Sequence, residues 1–212
     1  MESIGAISSA VMALVWIVYF QVFFLQYRRN NRPYLVIHHA QNENPDALCL
    51  LVNMSKEPVH IQCVQAVTFA NAAIKRTLTV TEYQRVDPGH RDLERVLRQG
   101  PLLPGGYLVL GSYRDIILGR SSEDDAGYRP LEEIDEVELR AAFIYGPMRS
   151  PVGVRRRFIL RHQHGTQIFP RNIHSEQLLG RKRRAEVREW VESELNPQRI
   201  GDGETEHSDQ SE

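Results

Sequence analysis

"VHIQCVQAVTF" (Val59–Phe69) sets apolar against polar residues with a period close to two: Val59, Ile61, Cys63, Val67 and Phe69 on one side, His60, Gln62 and Thr68 on the other. Successive side chains of a strand point to opposite faces, so this spacing predicts a strand with one buried face. A one-residue slip would turn every apolar side chain outward, so the pattern specifies its face strongly. Upstream, "NMSKEP" (Asn53–Pro58) is a cluster of turn residues, and "LCLLV" (Leu48–Val52) is a short continuous apolar run, expected of a strand buried on both faces. "PYLVI" (Pro33–Ile37) is again β-rich.

The same character continues downstream. Ile74, Leu78 and Val80 alternate with Lys75, Thr77 and Thr79, and "YLVLGSY" (Tyr107–Tyr113) follows the turn formers Pro104-Gly105-Gly106. "VELRAAFIY" (Val137–Tyr145) and "VGVRRRFIL" (Val152–Leu160) flank "GPMRSP" (Gly146–Pro151) and read as a hairpin. Between them, Asp87-Pro88 followed by Leu93, Val96 and Leu97 suits a short helix with an Asp cap and proline in its first turn. Ser121–Glu136 reads as a long acidic surface loop. About seven short strands divided by turns predict a β-sandwich over residues 33–172. A C-terminal amphipathic helix is expected over 175–195, with Leu179, Val187, Trp190, Val191 and Leu195 near one face and Asn196-Pro197 as its stop. Residues 197–212 are too polar to bury anything and read as a disordered acidic tail.

The N-terminus is different in kind. Ile4–Leu25 runs 22 residues without a charge. As a helix it would reach about 33 Å, enough for a ~30 Å hydrocarbon core. A cleavable signal would have a basic start, a shorter apolar run and a small-residue cleavage site. Here the start is Met1-Glu2-Ser3 and the run ends in Gln26-Tyr27-Arg28-Arg29. A permanent transmembrane helix over residues 4–27 is the expectation. Arg28, Arg29 and Arg32 follow it at once, and Phe20, Phe23, Phe24, Tyr27 and Tyr34 gather near the same end. Basic residues mark the cytoplasmic side and aromatic rings the headgroup level. The chain therefore reads as a single-pass protein of a bacterial inner membrane, its N-terminus out and its domain cytoplasmic, mainly β apart from the two helices. A periplasm-facing envelope domain is the alternative.

The element "NMSKEPVHI" (Asn53–Ile61), an Asn and a small residue before a proline that enters an alternating strand, is similar to the strand–turn–strand element of bacterial immunoglobulin-like domains. With the anchor and the "FIYGPMRSPVGVRRRFIL" (Phe143–Leu160) hairpin, the chain resembles bacterial inner-membrane proteins built from one N-terminal helix and a small immunoglobulin-like β-sandwich. The resemblance implies a fold and a location and carries no catalytic residues.

The net charge of −1 hides segregation: residues 115–138 hold nine acids against Arg120 and Arg129, and residues 149–184 hold ten basic residues against Glu176. Arg155 and Arg157 would share the outward face of a strand with Arg161, while Arg156 breaks the pattern of Val152, Val154, Phe158 and Leu160 and should lie near an edge. Arg181, Lys182, Arg183 and Arg184 crowd the start of the last helix. These are the candidate contacts with anionic headgroups, each contributing roughly 1 kcal/mol near a leaflet; pairing with the acidic loop is the competing reading. The chain is not basic overall and has no aromatics interleaved with its arginines, so no nucleic-acid partner is expected.

Gly5, Ser9 and Ala13 recur every fourth residue and form a small-residue stripe suited to helix self-association and a homo-oligomer. Cys49 and Cys63 read as buried free thiols in a reducing compartment. His38 and His39 are neighbours and point to opposite faces of a strand, while His162 and His164 share one but have no recognisable third ligand. The acids at 123–125 and 132–138 read as solvated. No nucleophile elbow, phosphate-binding glycine loop or zinc spacing occurs, so no cofactor and no enzyme is expected. The leading expectation is a non-enzymatic interaction or scaffold module with a protein partner; an enzyme with a dispersed site is the remaining alternative.

Overall fold

The computed structural model describes residues 2–39, 43–71, 73–80, 99–119, 130–146, 148, 150–163 and 165–195. It divides into two compact units, Met1–Pro33 and Tyr34–Glu212.

The first unit is a single helix, α1 (Glu2–Asn30). Its apolar residues are spread round the whole circumference rather than along one stripe, the pattern of a helix that faces hydrocarbon on every side. Within it, Ile7–Arg28 is 22 residues long with mean hydropathy 2.0, long and apolar enough to cross a membrane. At its C-terminal end Phe20 and Phe24 stack with centroids 6.4 Å apart, and the Arg28 guanidinium lies 5.9 Å from the Phe24 ring.

The second unit is mainly β. Its smaller sheet comprises β1 (Leu35–His39), β2 (Leu48–Asn53) and β6 (Tyr107–Ser112), in the order β1-β2-β6. The larger comprises β3 (Val59–Ala70), β4 (Ala73–Thr79), β5 (Gly100–Leu102), β7 (Glu136–Tyr145), β8 (Val152–Arg161), β9 (Gln167–Pro170) and β10 (Glu176–Leu178). Its order is β10-β8-β7-β3-β4, with β5 on β3 and β9 on β8. A short helix, α2 (Tyr113–Leu118), follows β6 and is capped by Ser112, whose Oγ accepts from Asp115 N–H at 3.1 Å. The last element is the helix α3 (Arg181–Leu195).

Leu35, Ile37, Cys49, Leu51 and Leu110 of the smaller sheet pack into one core with Ile61, Val64, Leu139, Phe143, Val154 and Phe158 of the larger. The two sheets therefore form the expected sandwich, each large apolar side chain contributing roughly 1.5–3 kcal/mol by burial. The β7–β8 hairpin forms as expected, pairing Phe143 with Val152 through Glu136 with Ile159.

Three expectations need correction. The β3 alternation is interrupted by a bulge: opposite β7, Ile61 faces Phe143 and Cys63 faces Ala142, leaving Gln62 as the extra residue. Val59 and Ile61 face the sandwich core, and beyond the bulge Val64 and Ala66 take that face. Cys63 turns to the opposite side, where it joins Ala142, Leu178, Val187 and Trp190 in a second cluster beneath α3. One strand thus serves two cores. Second, "LCLLV" is buried on one face only: Cys49 and Leu51 are inside, whereas Leu48 is exposed and Leu50 and Val52 are half-buried.

Third, the terminal helix begins at Arg181 rather than Ser175, because Glu176–Leu178 pair with β8 as a strand and Leu178 is fully buried. The sandwich accordingly continues past residue 172. Helix α3 sits close because Gly153 lies below it; a Cβ there would fall 2.7 Å from Val187 Cγ2 and 3.0 Å from Trp190 Cζ3. The helix expected near Asp87–Leu97, the 121–129 part of the acidic loop and the 197–212 tail lie outside the described residues.

The free edge of β1 is sealed by side chains instead of a strand. Gln177 Oε1 accepts from Leu35 N–H at 3.3 Å and its Nε2 donates to Leu35 C=O at 2.6 Å. Ser175 Oγ accepts from Ile37 N–H at 3.1 Å, and Arg156 Nη1 donates to Ile37 C=O at 2.6 Å. Each of the four main-chain groups of Leu35 and Ile37 that face away from β2 is satisfied, which removes a template for further strand pairing.

Candidate functional site: a cleft lined by arginines

β8 carries three consecutive arginines, and the pleat separates them. Arg157 stands opposite Glu138, and Arg155 opposite Arg140, in the β7–β8 register. The Glu138 side chain is buried and receives Arg157 Nε at 2.5 Å and Arg140 Nε at 2.6 Å. Burial pushes its carboxyl up, but hydrogen bonds and charge from Arg157 and Arg140 outweigh this and hold it below the ordinary glutamate value. Arg140 lies 5.0 Å from the Trp190 ring centroid and Arg157 5.1 Å from that of Phe69.

A second network ties β10 and α3 to β8. Arg155 Nε donates to Glu176 Oε2 and its Nη1 to Glu186 Oε1, each at 2.7 Å. Arg183 reaches the same two carboxylates, at 3.1 Å and 3.8 Å. Arg156 points the other way, to the core side, where its acceptors are the carbonyls of Ile37, Asn172 and Ile173. Burial pulls its pKa below the ordinary arginine value. The expected edge position of Arg156 is therefore where the two sheets are stitched together.

A cleft of about 260 Å³ opens here, lined by Arg155, Arg156, Arg157 and Arg171 with Asn172, Glu138 and Glu176. Four guanidiniums against two carboxylates leave a formal excess of two positive charges in the lining. Arg171 also pairs with Glu136. With Glu138 ionised and held by two arginines, the lining is suited to binding anions rather than to moving protons.

The other sequence candidates are distributed differently. Arg161 is exposed, 5.1 Å from the Phe169 ring, and Arg181 and Lys182 are exposed on α3. Arg184 is turned in: its Nε donates to Leu179 C=O at 2.8 Å and its Nη1 to Ser150 Oγ at 3.3 Å, tying α3 to the β7–β8 connection. Arg155, Arg157 and Arg183 pair with Glu176, Glu186 and Glu138; the 121–129 loop segment lies outside the described residues. Glu138, read from sequence as solvated, is the buried centre of the site. Its signal is its place in "VELRA", between Val137 and Leu139 and in phase with Arg140.

On α1, Gly5, Ser9 and Ala13 lie on one exposed face, and Ser9 Oγ donates to Gly5 C=O at 3.0 Å. His162 is held between Ile134 C=O, 3.0 Å from Nε2, and Thr166 Oγ1, 3.1 Å from Nδ1. A carbonyl only accepts, so Nε2 carries a hydrogen and donates it to Ile134 C=O. His162 thus braces a turn; His164 and the side chain of His39 lie outside the described residues. Among the described residues no three His, Cys, Asp or Glu side chains are grouped to hold a metal ion. No protein-family model matches the chain, and neither a curated protein nor a solved structure matches it.

Proposed function

We propose that the chain is a membrane-anchored interaction module whose β-sandwich presents a charged face to a protein partner on the cytoplasmic side of a bacterial inner membrane. The observation that carries this reading is the covalent arrangement. A helix of membrane-crossing length runs to Asn30, and five residues later the first strand of a closed sandwich begins at Leu35. Such a tether fixes the domain at a surface and leaves its faces available.

The strand orders support the resemblance to immunoglobulin-like domains. The order β1-β2-β6 facing β8-β7-β3-β4 reads as strands A-B-E facing G-F-C-C′ of that sandwich. The cytoplasmic side is supported by Arg28, Arg29 and Arg32 after the apolar run. It is also supported by the thiols: Cys49 lies between the sheets and Cys63 beneath α3, both unpaired. The arginine cleft gives the partner a chemistry, an acidic segment whose carboxylates compete for prebuilt guanidiniums.

The test is photocrosslinking in intact membranes from a probe placed at Arg171, with identification of what is trapped. Capture of one protein through an acidic segment is the expected result. Capture of lipid alone would overturn the protein-partner reading. Facing is tested separately by a cysteine in the 201–212 tail, which should resist an impermeant thiol reagent until the inner membrane is opened; labelling with only the outer membrane permeabilised would assign the domain to the periplasm.

A further inference from the structure

The sandwich has one end on which the chain arrives from α1, and that end is fringed with exposed apolar side chains. Tyr34, Met54, Leu103 and Tyr107 are 41%, 60%, 64% and 65% exposed. Main-chain hydrogen bonds join them into one rim. Met54 N–H donates to Tyr34 C=O at 2.9 Å, Asn53 N–H to Gly106 C=O at 2.9 Å, and Gly105 N–H to Asn53 C=O at 2.8 Å. The turn that carries Leu103 closes through Gly106 N–H to Leu103 C=O at 2.9 Å, and Tyr107 is the register partner of Val52. Exposed Lys56 lies on the same β2–β3 connection.

Exposed apolar side chains scattered singly need no explanation, but a contiguous set does. The occupant follows from the tether. α1 ends at Asn30, and only Asn31, Arg32 and Pro33 separate it from Tyr34. Fully extended, that linker spans about 14 Å. The headgroup layer is itself roughly 5–8 Å thick on each side of the hydrocarbon. If α1 crosses the bilayer, covalent reach keeps Tyr34 within about 14 Å of the end of α1, close enough for the rim to enter the headgroup layer. Tyrosines with long apolar and basic side chains are the composition that partitions there.

We infer that this rim is a lipid-docking surface, seating the sandwich end-on in the headgroup layer of the bilayer that α1 crosses. The inference rests on the anchoring reading above. Docking leaves the arginine cleft on β8 to its protein partner.

The experiment uses the full chain in vesicles of phosphatidylcholine and phosphatidylglycerol. An environment-sensitive fluorophore is placed on Leu103→Cys, Met54→Cys or, at the other end of β2, Asp46→Cys. Cys49 and Cys63 are buried, and the parent chain gives the background. Headgroup-borne nitroxide lipid should quench the probes at 103 and 54 at least about twofold more than the probe at 46. Leu103→Asp combined with Met54→Asp should abolish the difference for a probe on Tyr107→Cys while the chain stays folded and carbonate-resistant.

Equal quenching at all three positions in a carbonate-resistant chain would overturn docking and leave anchoring intact. A probe shielded only at high protein-to-lipid ratio would replace the lipid by a second copy and overturn it too. A chain that carbonate extracts would remove the anchoring reading, and docking with it.

Discussion

Glu138 Oε2 and Arg157 Nε stand 2.5 Å apart as register partners on β7 and β8, with the glutamate side chain 1% exposed. Arg140, two residues on, occupies the other carboxylate oxygen and reaches beneath Trp190 of α3. A single buried acid therefore joins the central hairpin to the helix that covers it. Removing one member of such a network leaves the others charged and desolvated, which costs more than the pair contributes over an apolar replacement.

Glu138→Gln should destabilise the domain by about 3 kcal/mol, the lower end of the range for breaking a buried pair, because Arg157 is 40% exposed. Chemical denaturation of the full chain in detergent would measure it. The pH dependence has a definite sign. A carboxyl whose folded pKa is depressed contributes stability above its unfolded pKa, and that contribution disappears as pH falls through the folded value. The wild-type chain should thus lose stability on the acid side, below the ordinary glutamate pKa, and Glu138→Gln should lose less over the same interval. Parallel acid limbs would contradict the assignment.

Gly153→Ala should cost about 1–3 kcal/mol, because its Cβ would fall 2.7 Å from Val187 Cγ2 and force α3 outward. The shift is readable in the emission of Trp190, which should move toward the red. Adding Val187→Ala removes the clashing atom, so the double variant should recover part of the loss and show coupling between the sites. Additive losses would mean that α3 is not seated on Gly153.

The two thiols should be inert while the chain is folded. Burial pushes each pKa up to about 12, so almost no thiolate forms at neutral pH. No maleimide should add in native buffer and two should add in denaturant, counted by intact mass. They also sit in different clusters, on opposite faces of the larger sheet, so a Cys49–Cys63 disulfide should not form on oxidation.

Gln177→Ala should leave Leu35 N–H and C=O without side-chain partners at a strand edge, at a cost of about 1–3 kcal/mol. The wider effect should be association, since an open edge recruits another strand. Light scattering of the variant in detergent, against Gln62→Ala as a control, would check it.

Much of the fold was legible: the unbroken apolar length of Ile7–Arg28 marks α1, and burial writes its period into the β7–β8 hairpin and the two-layer sandwich. What failed did so for definite reasons. The bulge at Gln62 changes the phase of β3, and Cys63 is as apolar as the residues it was grouped with, so period alone could not place it beneath α3. Glu176–Leu178 lie next to a helical run, and their strand pairing depends on β8, a long-range contact that local spacing does not encode. Glu138 was hidden because a buried, doubly paired carboxylate and a solvated one are the same letter. Its place between Val137 and Leu139 puts it on a strand, and its register opposite Arg157 supplies the partner that separates the two cases.

The sealing of β1 has a temporal side. Leu35 follows α1 and is among the first residues of the domain to leave the ribosome, but its amide partner Gln177 is synthesised 142 residues later. At roughly 5–20 residues per second, that edge waits on the order of 7–30 s for its cover. During that interval the nascent chain offers unpaired strand backbone to anything alongside it, including neighbouring nascent copies. Biogenesis of this protein thus contains a window of exposure set by gene order, one that a holding chaperone would close and that slower translation would widen.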